Sequence, residues 1–156
     1  MAMRQFLVFV YRAAGAGVAI AIMEWLSVLA GEPFWRVPFV TSIVLVMTIP
    51  QSEAARPYAI VAGHASACAA GFLALYLFGA GATASAVGVG AAGLLMLSLR
   101  APHPPAGIDA FLIAANGLSL RWAVSPVLVG CILLVVFAQA WSWGEQAIFP
   151  RGNPPP

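Results

Sequence analysis

The sequence has little charge and no lysine. Only 8% of its 156 residues are charged, and its seven basic residues are all arginines, with a net charge of +2. Such a small and scattered positive charge excludes a nucleic-acid-binding surface. Cysteine is also scarce, and Cys68 and Cys131 both lie in apolar stretches. Two lone thiols without clustered histidines make neither a disulfide framework nor a metal site, so we expect small packing residues, no bound metal and no cofactor.

The apolar content places the chain in a lipid bilayer. Hydrophobic residues make up 62% of the sequence and the mean hydropathy is +0.95, more than one small soluble core can enclose. We therefore predict an all-α polytopic membrane protein, with a flank at 1–12 and a disordered tail at 144–156. Its predicted segments are 13–30, 38–49, 58–78, 85–99, 106–116 and 122–143.

Two of these segments are short. The second offers about twelve residues before Pro50, roughly 18 Å of helix, which cannot cross a hydrocarbon core of about 30 Å alone. The fifth, 106–116, is of similar length. We therefore predict four long transmembrane helices and two half-helices.

The N-terminal flank carries Arg4 and Arg12 before an apolar segment, as a signal peptide does. The segment continues through Glu24 without a small-residue cleavage pattern, so we predict a first membrane helix with a cytoplasmic flank. Arginine placement supports this orientation, because five arginines lie on the N-terminal side and two on the other, whether or not segment five is re-entrant. The side of the C-terminus stays open. Glu24 should face the protein interior, either as a relay or as a paired structural carboxylate.

A polar break at 100–116 separates two apolar regions and is the main candidate for function. It gathers Arg100, His103 and Asp109 around three prolines, through which an ordinary helix cannot pass. Pro104 and Pro105 can open a short helix whose first N–H groups point back towards His103. There the helix dipole disfavours the protonated imidazole and a bound anion favours it, so anion affinity should rise as the pH falls. The alternative is that His103 only caps a turn.

Small residues recur in the third and fourth segments. Gly63, Ala67 and Gly71 lie at steps of four and predict close helix packing. His64 beside them is either a substrate contact or a hydrogen-bonded interhelical residue. The run 88–93 matches the string GxGxxG, but residues 65–99 hold no charge, which argues against a dinucleotide site. We interpret these glycines as helix-packing surface.

The two halves of the chain show the same order of long, short and long segments. A shift of 67 pairs Pro38 with Pro105, Leu45 with Leu112 and Gly63 with Gly130. Such paired, interrupted segments are typical of inverted 3+3 repeats whose broken helices face an anionic substrate. Chance similarity between two alanine-rich sequences is the alternative.

Two motifs resemble those of the HPP family of integral membrane proteins: Ala101-Pro102-His103-Pro104-Pro105-Ala106-Gly107, and Ala55-Arg56-Pro57 followed by Ala62-Gly63-His64. The resemblance covers most of residues 38–143. It implies four transmembrane helices and anion transport, since some members are regarded as nitrite transporters of chloroplasts and cyanobacteria. For this chain it implies a place in a bacterial inner membrane.

Three classes of function then compete: a channel or carrier for a small anion such as nitrite, a membrane enzyme, and a structural or assembly subunit. The enzyme is disfavoured because the few polar groups match no nucleophile, base or metal template. We expect a homodimer, because many glycines offer packing faces. Candidate substrate-binding residues are Arg56, His64, Arg100, His103, Pro104, Pro105, Gly107, Ser42 and Asn116. Candidate proton-coupling residues are His103, Asp109 and Glu24.

Overall fold

A computed structural model describes residues 2–31 and 39–150, and within those ranges the chain is helical with no strand. Short 3₁₀ turns at Glu53–Ala55 and Pro104–Ala106 precede two of the helices. The last helix contains an irregular, wider turn at Ala123–Leu128, where Pro126 lacks the N–H that a regular helix would use. The helices are α1 (Ala2–Ala30), α2 (Phe39–Thr48), α3 (Pro57–Phe78), α4 (Ala82–Ser98), α5 (Gly107–Asn116) and α6 (Leu120–Ile148).

The helix ends follow from proline and glycine chemistry. Pro57 opens α3 in the first turn, where its missing N–H costs nothing. Gly79 and Gly117 end α3 and α5 with φ of 73° and 64°, a left-handed conformation that glycine adopts without steric cost. The breaks predicted near these positions are therefore present in the structure.

Several predicted bounds are wrong. Among the described residues α1, α3 and α6 are long and apolar enough to cross a membrane, and α4 has 17 residues, so the prediction of four long helices is not confirmed. The first helix begins at Ala2 rather than at 13, because the flank 2–12 is itself mostly apolar. The last helix continues to Ile148, so residues 144–148 are not a disordered tail. Pro38 and residues 151–156 lie outside the described residues.

One end of the helix bundle, which we call the proximal end, gathers the start of α1 and the end of α6. The Arg4 guanidinium donates to the carbonyls of Phe149 and Pro150, at 3.0 and 2.7 Å. Arg12 donates to both carboxylate oxygens of Glu145, at 2.8 and 2.7 Å. The described ends of the chain therefore lie together.

Further contacts fix the direction of the other helices. Pro57 lines one cleft with Arg12 and Glu145, so α3 begins at the proximal end. Tyr58 donates to the carbonyl of Leu99, so α4 ends there. The N–H of Gly81 donates to the carbonyl of Ala114, which places the end of α5 at the opposite, distal end. Helices α1, α3 and α5 thus run away from the proximal end, and α2, α4 and α6 run towards it.

The outer surface of the bundle is apolar. Val28 on α1, Leu94 on α4 and Val136 on α6 are 77%, 67% and 62% exposed. Such a surface is stable against lipid and unfavourable against water.

Glycine sets the closest helix contacts. A Cβ on Gly71 would lie 2.8 Å from the Cα of Ala110, and one on Gly88 would lie 3.3 Å from the Cβ of Ala74. The predicted packing role of Gly71 and Gly88 therefore agrees with the contacts of α3, α4 and α5. Gly90 and Gly93 have no described neighbour within 4 Å, so the packing interpretation of the 88–93 run holds within this chain only for its first glycine.

We predict that Gly71→Ala destabilises the bundle and Gly90→Ala does not. Overpacking against the α5 backbone, which cannot rotate away, should cost about 1–3 kcal/mol. At Gly90 alanine meets open space and should gain up to about 1 kcal/mol of helix propensity. Thermal unfolding in one detergent measures both variants, and equal midpoints would contradict this view of the α3–α5 contact.

Candidate functional site

Four polar side chains converge inside the bundle, and we call them the polar cluster: Ser42, His64, His103 and Asp109. Each is 0% exposed. Burial of polar and ionisable groups in an apolar protein is unfavourable unless each is hydrogen-bonded. The partners of these four groups therefore decide what the site can do.

One chain of hydrogen bonds joins the polar cluster. The Ser42 hydroxyl oxygen lies 3.0 Å from Nε2 of His103 and 3.2 Å from Nε2 of His64. At the outer end, His103 Nδ1 donates to the carbonyl oxygen of Ala54 at 2.6 Å. At the inner end, His64 Nδ1 lies 2.5 Å from Oδ2 of Asp109. The chain thus runs from the loop before α3 to the first turn of α5.

The first turns of the two short helices meet at this cluster. Ser42 lies in the first turn of α2, and Asp109 in the first turn of α5. His103 precedes the 3₁₀ turn that opens α5, and His64 lies about 10 Å from the start of α3. Residues far apart in sequence thereby form one site.

Glycine and phenylalanine position the histidine rings. A Cβ on Gly63 would lie 2.6 Å from the Cβ of His103, so only glycine lets the two segments approach this closely. The Phe39 ring stacks on the His64 ring, with centroids 5.1 Å apart. Phe39 itself lies against Gly130 of α6, where any Cβ would meet its ring. The rings are therefore held by close packing on two sides.

The hydrogen-bond partners limit where protons sit. A carbonyl oxygen only accepts, so His103 carries a proton on Nδ1, and Nε2 of a neutral His103 is an acceptor. His64 and Asp109 hold one proton between their facing atoms. The pair carries no net charge while it also holds a proton on His64 Nε2, which suits an apolar surrounding, and it carries one negative charge when Nε2 is bare.

Asp109 has one further oxygen. Its Oδ1 is buried and has no hydrogen-bond partner among the described residues. The thiols of Cys68 on α3 and Cys131 on α6 interact with this carboxylate electrostatically. Both cysteines are buried and free, and the described residues contain no group of three ligands that could hold a metal ion.

The predicted arginines do not reach the polar cluster. Arg100 is exposed beyond the end of α4, with φ of 52°. Arg56 is exposed and forms a loose pair with Glu53, at 3.4 Å. A guanidinium is least costly where water reaches it, which explains why both lie at the proximal end.

Three other predicted site residues also lie elsewhere. Asn116 is exposed at the distal end of α5, where it donates to the carbonyl of Leu112. Glu24 is half-buried on α1, and none of the four hydrogen bonds of the polar cluster involves it. Gly107 lies at the start of α5, outside the polar cluster, and is half-buried.

The 3₁₀ turn that opens α5 offers no free N–H group, contrary to the prediction. Pro104 and Pro105 have none, the N–H of Ala106 donates to the carbonyl of His103 at 3.0 Å, and that of Gly107 donates within the same turn. The two prolines therefore shape the turn that places His103.

A cleft of about 250 Å³ opens at the proximal end. Ala55, the residue after the Ala54 carbonyl that holds His103, lines it together with Ile60. Its polar wall consists of Arg12, Gln51, Arg56, Gln139, Ser142, Glu145 and Gln146. The four residues of the polar cluster do not line the cleft, which adjoins the chain only through the loop that carries Ala54.

Comparisons with known proteins agree with this picture. No curated protein and no solved structure matches the chain. The family described as "HPP, transmembrane region" matches residues 2–147. This match covers nearly the whole helical bundle, including the His103-Pro104-Pro105 turn, and it confirms the resemblance stated from the two motifs. The chain is therefore an integral membrane protein that belongs to the HPP transmembrane family.

Proposed function

We propose that this protein transports a small inorganic anion across its membrane together with a proton, and that nitrite is the first substrate to test. The observation that carries the proposal is the polar cluster: one acid, two histidines and a hydroxyl, fully buried where two half-helices begin. Ionisable groups at membrane depth are expensive and mark ion or proton paths. The family resemblance supplies nitrite as the anion.

An inverted repeat would explain the meeting of the half-helices. In each half a short helix lies between two longer ones, and the second triplet runs opposite to the first. The contacts are also reciprocal: Gly63 of the first half packs against His103 of the second, and Gly130 of the second half packs against Phe39 of the first. Transporters built on such repeats bind substrate between the halves.

Electrostatics support a path that starts at the proximal end. Arg12 and Arg56 line the cleft, and Arg4 lies nearby. If this end is cytoplasmic, the excess of described arginines there obeys the positive-inside rule and both described ends of the chain lie inside. We place the protein in a bacterial inner membrane, as a homodimer that covers part of its exposed apolar surface.

The anion would meet Arg56 before it meets the polar cluster. Arg12 is held by Glu145 through two hydrogen bonds, whereas the Arg56 pair is exposed and loose, and such pairs contribute little. Arg56 can therefore turn from Glu53 to a planar oxyanion, which a guanidinium binds through two parallel hydrogen bonds.

The first test is uptake of nitrite into proteoliposomes under an inward proton gradient. Asp109→Asn keeps the size and the hydrogen bond to His64 but cannot share a proton, so gradient-driven uptake should fall by at least about tenfold. Asn116→Asp is the matched control, since it exchanges the same two residue types at the exposed end of α5 and should leave uptake near the wild-type value. A wild type that moves neither nitrite nor any other small anion would contradict transport and favour a structural or assembly subunit.

A second test separates the two exposed arginines. Arg56→Ala should raise the KM for nitrite by about tenfold, the loss expected for one charge-assisted contact, and lysine should restore only part of it. Arg100→Ala should change KM little, because Arg100 does not line the cleft. Equal effects of both variants would mean that the cleft does not select the anion.

A further inference from the structure

We infer that the Ser42 hydroxyl relays a proton between His64 and His103, which makes the polar cluster one proton path from His103 to Asp109. The inference rests on the proposed function, because it assigns the route of the coupled proton. It concerns a residue that carries no charge and that belongs to neither histidine motif.

The position of Ser42 carries the inference. Its oxygen lies within hydrogen-bond distance of the same atom, Nε2, on both histidines, at 3.0 and 3.2 Å. A hydroxyl has one proton to donate and lone pairs with which to accept. Ser42 can therefore donate to His103 while it accepts from His64, or donate to His64 while it accepts from His103.

These two arrangements differ by the transfer of one proton. In the first, His64 is protonated on both nitrogens beside the Asp109 carboxylate, and neutral His103 accepts from Ser42. His64 Nε2 then gives its proton to the Ser42 oxygen as the Ser42 proton passes to His103 Nε2. In the second, His64 is neutral with its proton on Nδ1, His103 is protonated on both nitrogens, and Ser42 is again a neutral hydroxyl. One N–H and one O–H bond break, and one of each forms.

The outer partners make the path directional. Because the Ala54 carbonyl can only accept from His103 Nδ1, the ring exchanges its proton through Nε2 and therefore through Ser42. At the inner end Asp109 stabilises the proton on His64. The relayed proton is thus held more tightly on His64 than on His103.

Few other groups compete for this proton. The titratable side chains that face the cluster are the thiols of Cys68 on α3 and Cys131 on α6, which interact with Asp109. Arg56 and Glu53 are exposed at the proximal end, and the face of His64 towards α2 is covered by the Phe39 ring. Among the described residues the hydrogen-bonded route between the two histidines leads through Ser42.

The test compares Ser42→Ala, Ser42→Thr and the control Ser85→Ala. Ser85 is also buried, and its hydroxyl donates to the carbonyl of Gly81, far from the polar cluster. Proton entry is followed with a dye inside liposomes, and nitrite exchange is measured without a proton gradient. Ser42→Ala should lower proton-coupled uptake by about a hundredfold, the usual loss when a positioned proton-transfer group is removed. Ser85→Ala should leave both coupled uptake and gradient-free exchange close to wild type, and Ser42→Thr should restore coupling because it keeps the hydroxyl.

A spectroscopic measurement tests the relay without transport. With ¹⁵N-labelled histidine in lipid nanodiscs, the Nε2 signals of the two rings should change together as the pH is varied, because the rings exchange a proton through one hydroxyl. In Ser42→Ala they should titrate independently, and in Ser85→Ala they should stay linked. Thermal unfolding of each variant reports whether the fold is retained.

The outcomes separate the two proposals. If Ser42→Ala takes up nitrite with the same proton coupling as the wild type, the relay is overturned and the transport proposal stands. Absence of uptake in the wild type, with histidines linked through Ser42, would overturn transport and leave the relay. Independent titration of His64 and His103 in the wild type would also overturn the relay, since the first step requires both rings to contact one hydroxyl.

Discussion

The hydrogen-bond chain from Ala54 to Asp109 is the interaction on which the rest of this structure depends. Inside a lipid bilayer, contact between apolar helices excludes little water and so gains little free energy. A buried chain of polar groups therefore supplies specific attraction between the helices. Here that chain joins three helices and one loop through Ser42, His64, His103 and Asp109. Other features hold this chain in position. Glycines leave room for the rings, prolines shape the turn before α5, and Phe39 covers His64.

The glycines explain how two half-helices can begin inside the bundle. The start of each half-helix must approach a continuous helix closely so that its backbone is not exposed to lipid. Gly63 lets α3 touch His103, and Gly130 lets α6 touch Phe39. A larger side chain at either position would force the half-helix outward, and the two first turns would no longer meet. Small residues thus shape the site indirectly, because they set how far each half-helix reaches into the bundle.

Much of the fold could be predicted from sequence, because its signals are local. The prolines at 102, 104 and 105 and the glycines at 79 and 117 mark breaks between helices, and the small-residue steps on α3 indicated a packing face. Which residues form the site was harder to predict. His64 and Asp109 are 45 positions apart, and helices that are apolar on all sides carry no periodicity to show which faces meet. The arginines were chosen for their charge, yet charge is what keeps Arg56 and Arg100 at the exposed end. The start of α1 at Ala2 was missed because basic residues at the end of an apolar helix resemble a flank.

The two prolines link the local turn to the chemistry proposed for the site. An anion at the start of a helix is usually held by backbone N–H groups, but Pro104 and Pro105 remove two of these and the turn uses those of Ala106 and Gly107. An anion near α5 would therefore need side-chain donors, and the cluster has them only when its histidines are protonated. In the neutral state His103 Nε2 and Asp109 Oδ1 present lone pairs, which repel an anion. Under the proposed function, a proton on His103 changes its Nε2 from an acceptor to a donor. The proline turn thereby makes anion binding depend on proton uptake, without an arginine in the interior.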